Sequence, residues 1–277
     1  MRIYVIGDRN QELENLNSGR NEVIYTSIFS AIFTTLFNRG SIIYSEKENS
    51  VLDVLQKIFK LPYLYGKLES ILEFENHYAK IKKYEIPVLM YHQFVNEKSE
   101  GGKIKLFVTK KQFELHLKIL KWLNYETITF EDLEKIGLQN RFYKKYIILT
   151  VDDGYKDNYN ILYPMLKKYN MKAVIFLVSG LDYNRWTVES DNEKRFDLMS
   201  DEEVMELQNS GHIEFGGHTL THVSFFDVDD ERAREEIVKD KEITEKRLGK
   251  KLKVFAYPYG HKRKEVVEMV KECGYSF

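Results

Sequence analysis

The hydrophobic pattern divides the chain near residue 85. Before that point it reads as a strand over Arg2–Gly7, a helix over about Thr26–Asn38, a strand over Ser41–Tyr44, and helices near Val51–Lys60 and Lys67–Lys83. The charged run Lys80–Glu85 closes this block. From Ile86 onward short apolar runs alternate with amphipathic stretches. The runs Pro87–Tyr91, Tyr146–Val151, Lys172–Val178, His212–Phe215 and Lys253–Tyr257 read as strands. Helices are expected near Lys110–Leu123, Asp157–Tyr169, Ser200–Asn209, Asp229–Leu248 and Arg263–Cys273, the third opened by the capping-box pair Ser200 and Glu203. Strand-then-helix order with near-continuous apolar strands predicts a parallel sheet covered by helices. In such folds chemistry gathers just beyond the carboxyl ends of the strands.

Composition narrows the classes. The chain has 277 residues, enough for one large domain or two modest ones, and its 43% hydrophobic and 31% charged content is that of a globular protein. Forty-two Lys and Arg against 43 Asp and Glu leave a net charge of -1, which argues against a global grip on nucleic acid or anionic membrane. With the single cysteine Cys273 there is no internal disulfide and no zinc site built on several thiolates. Any metal must be held by His and carboxylate. The start of the chain reads as a strand and not as a signal peptide. The apolar stretch 23–37 is interrupted by Thr and Ser, falls short of the roughly 20 residues that span a bilayer, and is expected as a buried helix with membrane association as the alternative. The expected location is the cytoplasm, and no feature points to a membrane or protein partner.

Three segments carry chemistry. Thr150-Val151-Asp152-Asp153-Gly154 closes an apolar run and precedes a helix. Adjacent acids at a strand end point in different directions, so one can bind a cation while the other stays free as a base. A turn followed by a helix-start acid is the plainer alternative. His218-Thr219-Leu220-Thr221-His222 follows a strand and the pair Gly216-Gly217. Two histidines four apart suit two ligands on one ion, and with one aspartate they leave metal positions open, as catalytic sites do. Phe255-Ala256-Tyr257-Pro258-Tyr259-Gly260 is an aromatic turn whose backbone N–H groups around Tyr259 could face a developing oxyanion.

In this order the segments resemble the polysaccharide deacetylase family, the carbohydrate esterases that share the NodB-homology domain. The family's T-F-D-D-G matches Thr150–Gly154 with Val151 for Phe, its H-S/T-x-x-H matches His218–His222, and its R-P-P-Y-G is met by Ala256–Gly260. Val88–His92 looks like the domain's opening strand, and Met199–Gly211 like the helix before the histidine motif. The resemblance covers about residues 86–277. It does not extend to residues 1–85, a segment of unknown role that is either a small α/β unit or mainly helical.

What the resemblance implies is an α/β fold, a distorted (β/α) barrel of the NodB-homology type, C-terminally incomplete. It implies one divalent ion held by Asp153, His218 and His222; zinc is expected, with cobalt, nickel or iron(II) as alternatives. Asp152 would be the general base, and the Tyr259 backbone N–H would steady the oxyanion formed when water attacks the acetyl group of an N-acetylated carbohydrate. His92, Tyr257, Pro258 and Trp186 are the expected substrate-binding residues, Trp186 as an exposed loop aromatic able to stack on a sugar. His261 is a weaker candidate, and His77, His116 and His212 read as non-catalytic.

Three departures stand out. Ala256 replaces the family's Arg, as in a subgroup with F-A-Y-P-Y-G. Val223 stands where Pro is common. The late motifs, including a Leu-x-His that supplies the general acid, lie beyond Phe277. The alternative reading is therefore an impaired, deacetylase-like carbohydrate-binding module, and a third is a hydrolase of another ester or amide. The charge-dense helix Asp229–Lys251 reads as a solvated face.

Overall fold

The computed structural model describes residues 2–6, 22–25, 41–45, 63–65, 86–137 and 145–277. By internal contacts the chain divides into two units, Met1–Glu85 and Ile86–Phe277.

In the first unit the described residues are four short strands rich in Ile, Val and Tyr: β1 (Arg2–Ile6), β2 (Glu22–Tyr25), β3 (Ser41–Ser45) and β4 (Tyr63–Tyr65). They form one parallel sheet in the order β2-β1-β3-β4, with Ile3 opposite Val23 and Ile42, and Tyr44 opposite Leu64. The apolar stretch at 23–37 thus opens as strand, because Val23–Tyr25 complete a β ladder, and β4 is a strand the pattern does not announce. The helices expected at Thr26–Asn38, Val51–Lys60 and Lys67–Lys83 lie outside the described residues.

The second unit is built on a parallel sheet. Its strands are β5 (Val88–Tyr91), β8 (Tyr125–Thr127), β9 (Lys145–Val151), β10 (Ala173–Leu177) and β11 (Ile213–Gly217). The order is β11-β10-β9-β5, with β8 pairing the first half of β9 and β5 the second half. A separate parallel pair joins β6 (Gln93–Val95) to β7 (Phe107–Thr109). β10 and β11 are buried along their whole length, as strands sandwiched between helices must be. Ile128, Leu133, Ile148, Val174, Phe176 and Val254 form one cluster of the core.

Helix boundaries follow capping chemistry. Thr109 and Gln112 form a reciprocal capping box that starts the helix Lys110–Trp122, whose Phe113, Leu117 and Leu120 face the core at helical spacing. Ser200 and Glu203 form the expected box at Asp201–Asn209. The helix expected over Asp157–Tyr169 begins with a π-type turn, Asn158–Leu162, before regular helix at Tyr163–Tyr169. Among the described residues no helix is long and apolar enough to cross a membrane.

Two further expectations need correction. Lys253–Tyr257 is not a strand: Phe255 makes a single bridge to Gly217, because Gly217 is the last residue of β11 and the chain turns away after it. The helix Asp230–Leu248 is not a simple solvated face, since Glu236, Asp240 and Thr244 are fully buried.

Candidate metal centre and active-site cleft

Sheet register brings the chemistry together. Tyr91 pairs with Val151, so His92 and Asp152 leave the sheet side by side; Gly217 pairs with Phe255, so His218 and Ala256 do the same. The ladder reaches its last position with Asp152 N–H donating to Tyr91 O at 2.9 Å. Asp153 (φ 78°) and Gly154 (φ 74°) then both take left-handed backbone, which turns the two carboxylates apart. For Asp153 that conformation stores strain of about 1–3 kcal/mol. At Gly154 only glycine fits, since a Cβ would also stand 2.7 Å from Leu177 Cδ2.

The histidine segment is a tight loop. His218 N–H continues the sheet by donating to Leu177 O at 2.9 Å, and Thr219 (φ 69°) and His222 (φ 58°) are left-handed. The loop aims both rings at Asp153: Oδ1 lies 3.5 Å from His218 Nε2 and 3.2 Å from His222 Nε2. One ligand atom from each of the three residues lies within 4.8 Å of the others, and all three side chains are buried. Ala256 O receives His218 Nδ1 at 2.8 Å. A carbonyl only accepts, so this bond assigns the hydrogen to Nδ1 and leaves the Nε2 lone pair of the neutral ring facing a carboxylate oxygen. Asp153 Oδ1 and His222 Nδ1 are buried without a hydrogen-bond partner.

Electrostatics separate the two aspartates. Burial pushes Asp153 up, but the adjoining His218 and His222 more than offset it and hold the carboxyl far below the usual range. Asp152 is pushed up by burial, against the pull of His218 and His92. Its Oδ2 lies 3.9 Å from His92 Nε2. His218 is raised because Asp153 and Asp152 outweigh its burial, whereas burial prevails in His222 and lowers it.

A cleft of about 680 Å³ opens over these groups, lined by His92, Asp152, Asp153, Trp186, Tyr257 and Tyr259 among others. Trp186 lies on the short helix Arg185–Asp191 and not in a loop, and its face is stacked on the His222 ring at 4.4 Å. Trp186 is half-buried and lines the cleft. Pro258 is buried and does not line the cleft; it opens the turn Pro258–Gly260, in which Tyr259 takes φ 58°. Tyr259 is exposed and sets its ring edge against His222 at 4.7 Å. His116 and His212 are engaged elsewhere, with Tyr91 Oη at 3.2 Å and Met171 O at 2.8 Å, and His261 with Ser224 Oγ at 3.0 Å. His77 lies outside the described residues.

Four residues contribute without a local sequence signal. Asn158, fully buried in the π-turn, donates to His92 O at 3.1 Å and fixes that loop. π-turns recur at functional sites. Met90 and Leu106 add exposed apolar wall to the cleft. Glu193 accepts from Ile104 N–H at 2.8 Å and Lys194 N–H at 2.6 Å, tying two rim loops together.

The site lies where the strands of a parallel α/β sheet end, and the fold is the NodB-type barrel of the deacetylases whose structures it matches. A family model described as polysaccharide deacetylase matches residues 139–277, and the chain belongs to the polysaccharide deacetylase family. Over 195 residues it is 29% identical to a Bacillus subtilis (strain 168) protein provisionally named polysaccharide deacetylase YxkH, covering 70% of this chain and 63% of that protein. The chain therefore spans less than two thirds of that relative. It is 28% identical to the poly-beta-1,6-N-acetyl-D-glucosamine N-deacetylase of Staphylococcus aureus (strain MSSA476), over 72% of each. Among solved structures, the Streptococcus pyogenes deacetylase PplD in complex with acetate superposes with a TM-score of 0.60 at 25% identity, over 71% of this chain and 83% of that one.

Proposed function

We propose that this chain is a metal-dependent N-deacetylase acting on an N-acetylated amino-sugar polymer or glycoconjugate. The observation that carries the reading is the convergence of Asp153, His218 and His222 beside a second, electrostatically distinct carboxylate, Asp152, in one cleft. The residues fit a divalent cation. Three buried acceptor groups face one another, Asp153 Oδ1 has no hydrogen-bond partner, and the His218 tautomer offers Nε2. One carboxylate with two imidazoles suits zinc, with cobalt, nickel and iron(II) as alternatives.

Asp153, His218 and His222 would hold the ion, which when bound supplies Lewis acidity to an acyl oxygen and to a water. Asp152 takes the proton from the attacking water and returns it to the amide nitrogen as the C–N bond breaks, releasing acetate and the free amine; a carboxyl pushed up by burial holds that proton better than an ordinary one. The Tyr259 backbone N–H donates to the oxygen that gains charge as the amide carbon becomes tetrahedral. His92 Nε2 stands beside the base, 3.9 Å from Asp152 Oδ2, and lines the cleft that receives the sugar. Tyr257 and the apolar rim bind the sugar. The S. aureus relative, named for poly-beta-1,6-N-acetyl-D-glucosamine, and the acetate in PplD support this substrate class.

The test is metal content by elemental analysis together with acetate release from N-acetylglucosamine oligomers. About one ion per chain is expected, lost in the His218→Ala, His222→Ala double variant. Asp152→Asn should keep the ion and lose at least about 100-fold in acetate release. An absence of metal after reloading with zinc or cobalt refutes the reading. So does a loaded protein that binds the oligomer and releases no acetate, the behaviour of a binding module.

A further inference from the structure

The two histidines of the centre are oriented by different means. His218 is fixed through its ring, by the bond from Nδ1 to Ala256 O. His222 has no such bond; its Nδ1 is buried and unpartnered, and its ring touches Trp186, Tyr259 and His218 by aromatic contact. Its backbone is also left-handed, a conformation that persists only where the surrounding structure over-determines it.

The restraint lies one residue earlier. Thr221 N–H donates to Glu236 Oε2 at 2.8 Å, and Thr221 Oγ1 donates to Glu236 Oε1 at 2.6 Å. Glu236 O accepts Leu220 N–H at 3.2 Å. Glu236 is fully buried on the helix Asp230–Leu248, and Arg232 Nη2, one turn earlier, donates to its Oε1 at 2.5 Å. Every group facing this carboxylate is a donor: two N–H groups and one hydroxyl. A glutamine there has one acceptor oxygen and an NH2 that must face a donor, so the set calls for the two acceptor oxygens of a carboxyl group. A carboxylate is costly to bury, and this one is retained where it grips the loop carrying two ligand residues.

We propose that Glu236, supported by Arg232, is a positioning residue of the metal centre: by clamping Thr221 from both N–H and hydroxyl it sets His222 in ligand geometry. This rests on the metal-centre reading above. It places a determinant of metal affinity on a helix that contributes no ligand.

The full chain, its Glu236→Gln, Thr221→Val and Thr221→Ser variants, are titrated with Zn2+ against a chromophoric chelator. Co2+ visible absorption and apo-protein melting are recorded alongside. Glu236→Gln and Thr221→Val should each weaken Zn2+ binding about 10- to 100-fold and alter the Co2+ bands, the usual effect of losing a partner that orients a ligand. Thr221→Ser keeps the hydroxyl and should stay within about 2-fold of the parent protein. Parent-like affinity and Co2+ bands in both Glu236→Gln and Thr221→Val would overturn the proposal while leaving the metal centre standing. If the parent chain itself binds no metal, the centre falls and this inference with it. Should Glu236→Gln fail to melt cooperatively, the Thr221→Val and Thr221→Ser pair decides alone.

Discussion

Gly217, the last residue of β11, is a position where a single methyl group should be costly. A Cβ built there stands 2.4 Å from Asp240 Oδ2 and 2.5 Å from Tyr275 Oη, where ordinary contact begins near 3.4 Å. Both groups are buried, Asp240 on the helix Asp230–Leu248 and Tyr275 beside the sheet, so relief needs a shift of about 1 Å in packed structure. Overpacking of this kind costs about 1–3 kcal/mol. For a body of this size each kcal/mol lowers the melting temperature by about 2–4 °C, so Gly217→Ala should melt about 2–12 °C below the parent. The clash has two named partners, which allows a sharper test. In a Tyr275→Phe background one of them is gone, and the alanine should cost at least about 0.5 kcal/mol less. Calorimetry on the four proteins of this cycle gives the answer. Melting within about 1 °C of the parent, or an equal alanine cost in both backgrounds, would show that close packing does not select glycine here.

Other outcomes follow from the same geometry. Burial pushes the Asp240 carboxyl up to about 7, against the pull of Ser179 and His218. The folded state then holds this proton more tightly than the unfolded chain, so its contribution is full below about pH 4 and is lost as pH rises through about 7. Asp240→Asn should therefore narrow the fall in melting temperature between about pH 5 and pH 8, and an unchanged fall refutes the assignment. Trp186→Ala removes the ring stacked on His222; at about 0.5–1.5 kcal/mol for an aromatic pair, metal affinity should drop about 2- to 12-fold, with Trp186→Phe recovering most of it in the same titration. Glu193→Ala unties the rim loops and should raise KM for acetylated oligomers several-fold with metal content unchanged, which steady-state kinetics and elemental analysis together can check.

The strand ends were legible because β9 and β10 are near-continuous apolar runs and Ile213 and Phe215 mark β11, and a residue that follows such a strand has one place to go. Asp152, Asp153, His218 and His222 follow β9 and β11 directly, so the sequence order already placed them at one end of the sheet. Burial within the helix Asp230–Leu248 was not legible. Charge dominates that segment and outweighs the sparse apolar positions Ala233, Ile237 and Leu248, and Glu236 and Asp240 are buried by the loop and glycine they meet, partners remote in sequence. The stacking of Trp186 on His222 was hidden for a similar reason: nothing near it in the chain announces that contact. Pro258 and Tyr259 differ by one position, yet the turn sends one ring inward and the other into the cleft, because the proline fixes φ while Tyr259 adopts the left-handed kink.

β10 supplies no ligand, yet it lies between β9 and β11, the strands that do. The centre therefore comes into being only when three strands joined by long helical connections have aligned, a slow kind of event in folding. A slip of one residue between β10 and β11 would turn the side chains of β11 to the opposite face and dissolve the ligand set. An ion that recognises the aligned sheet and no slipped one stabilises the native register by mass action, by about 2.7 kcal/mol at a hundredfold excess over its Kd. Metal in the growth medium would then affect how much correctly folded protein accumulates, before any substrate is met.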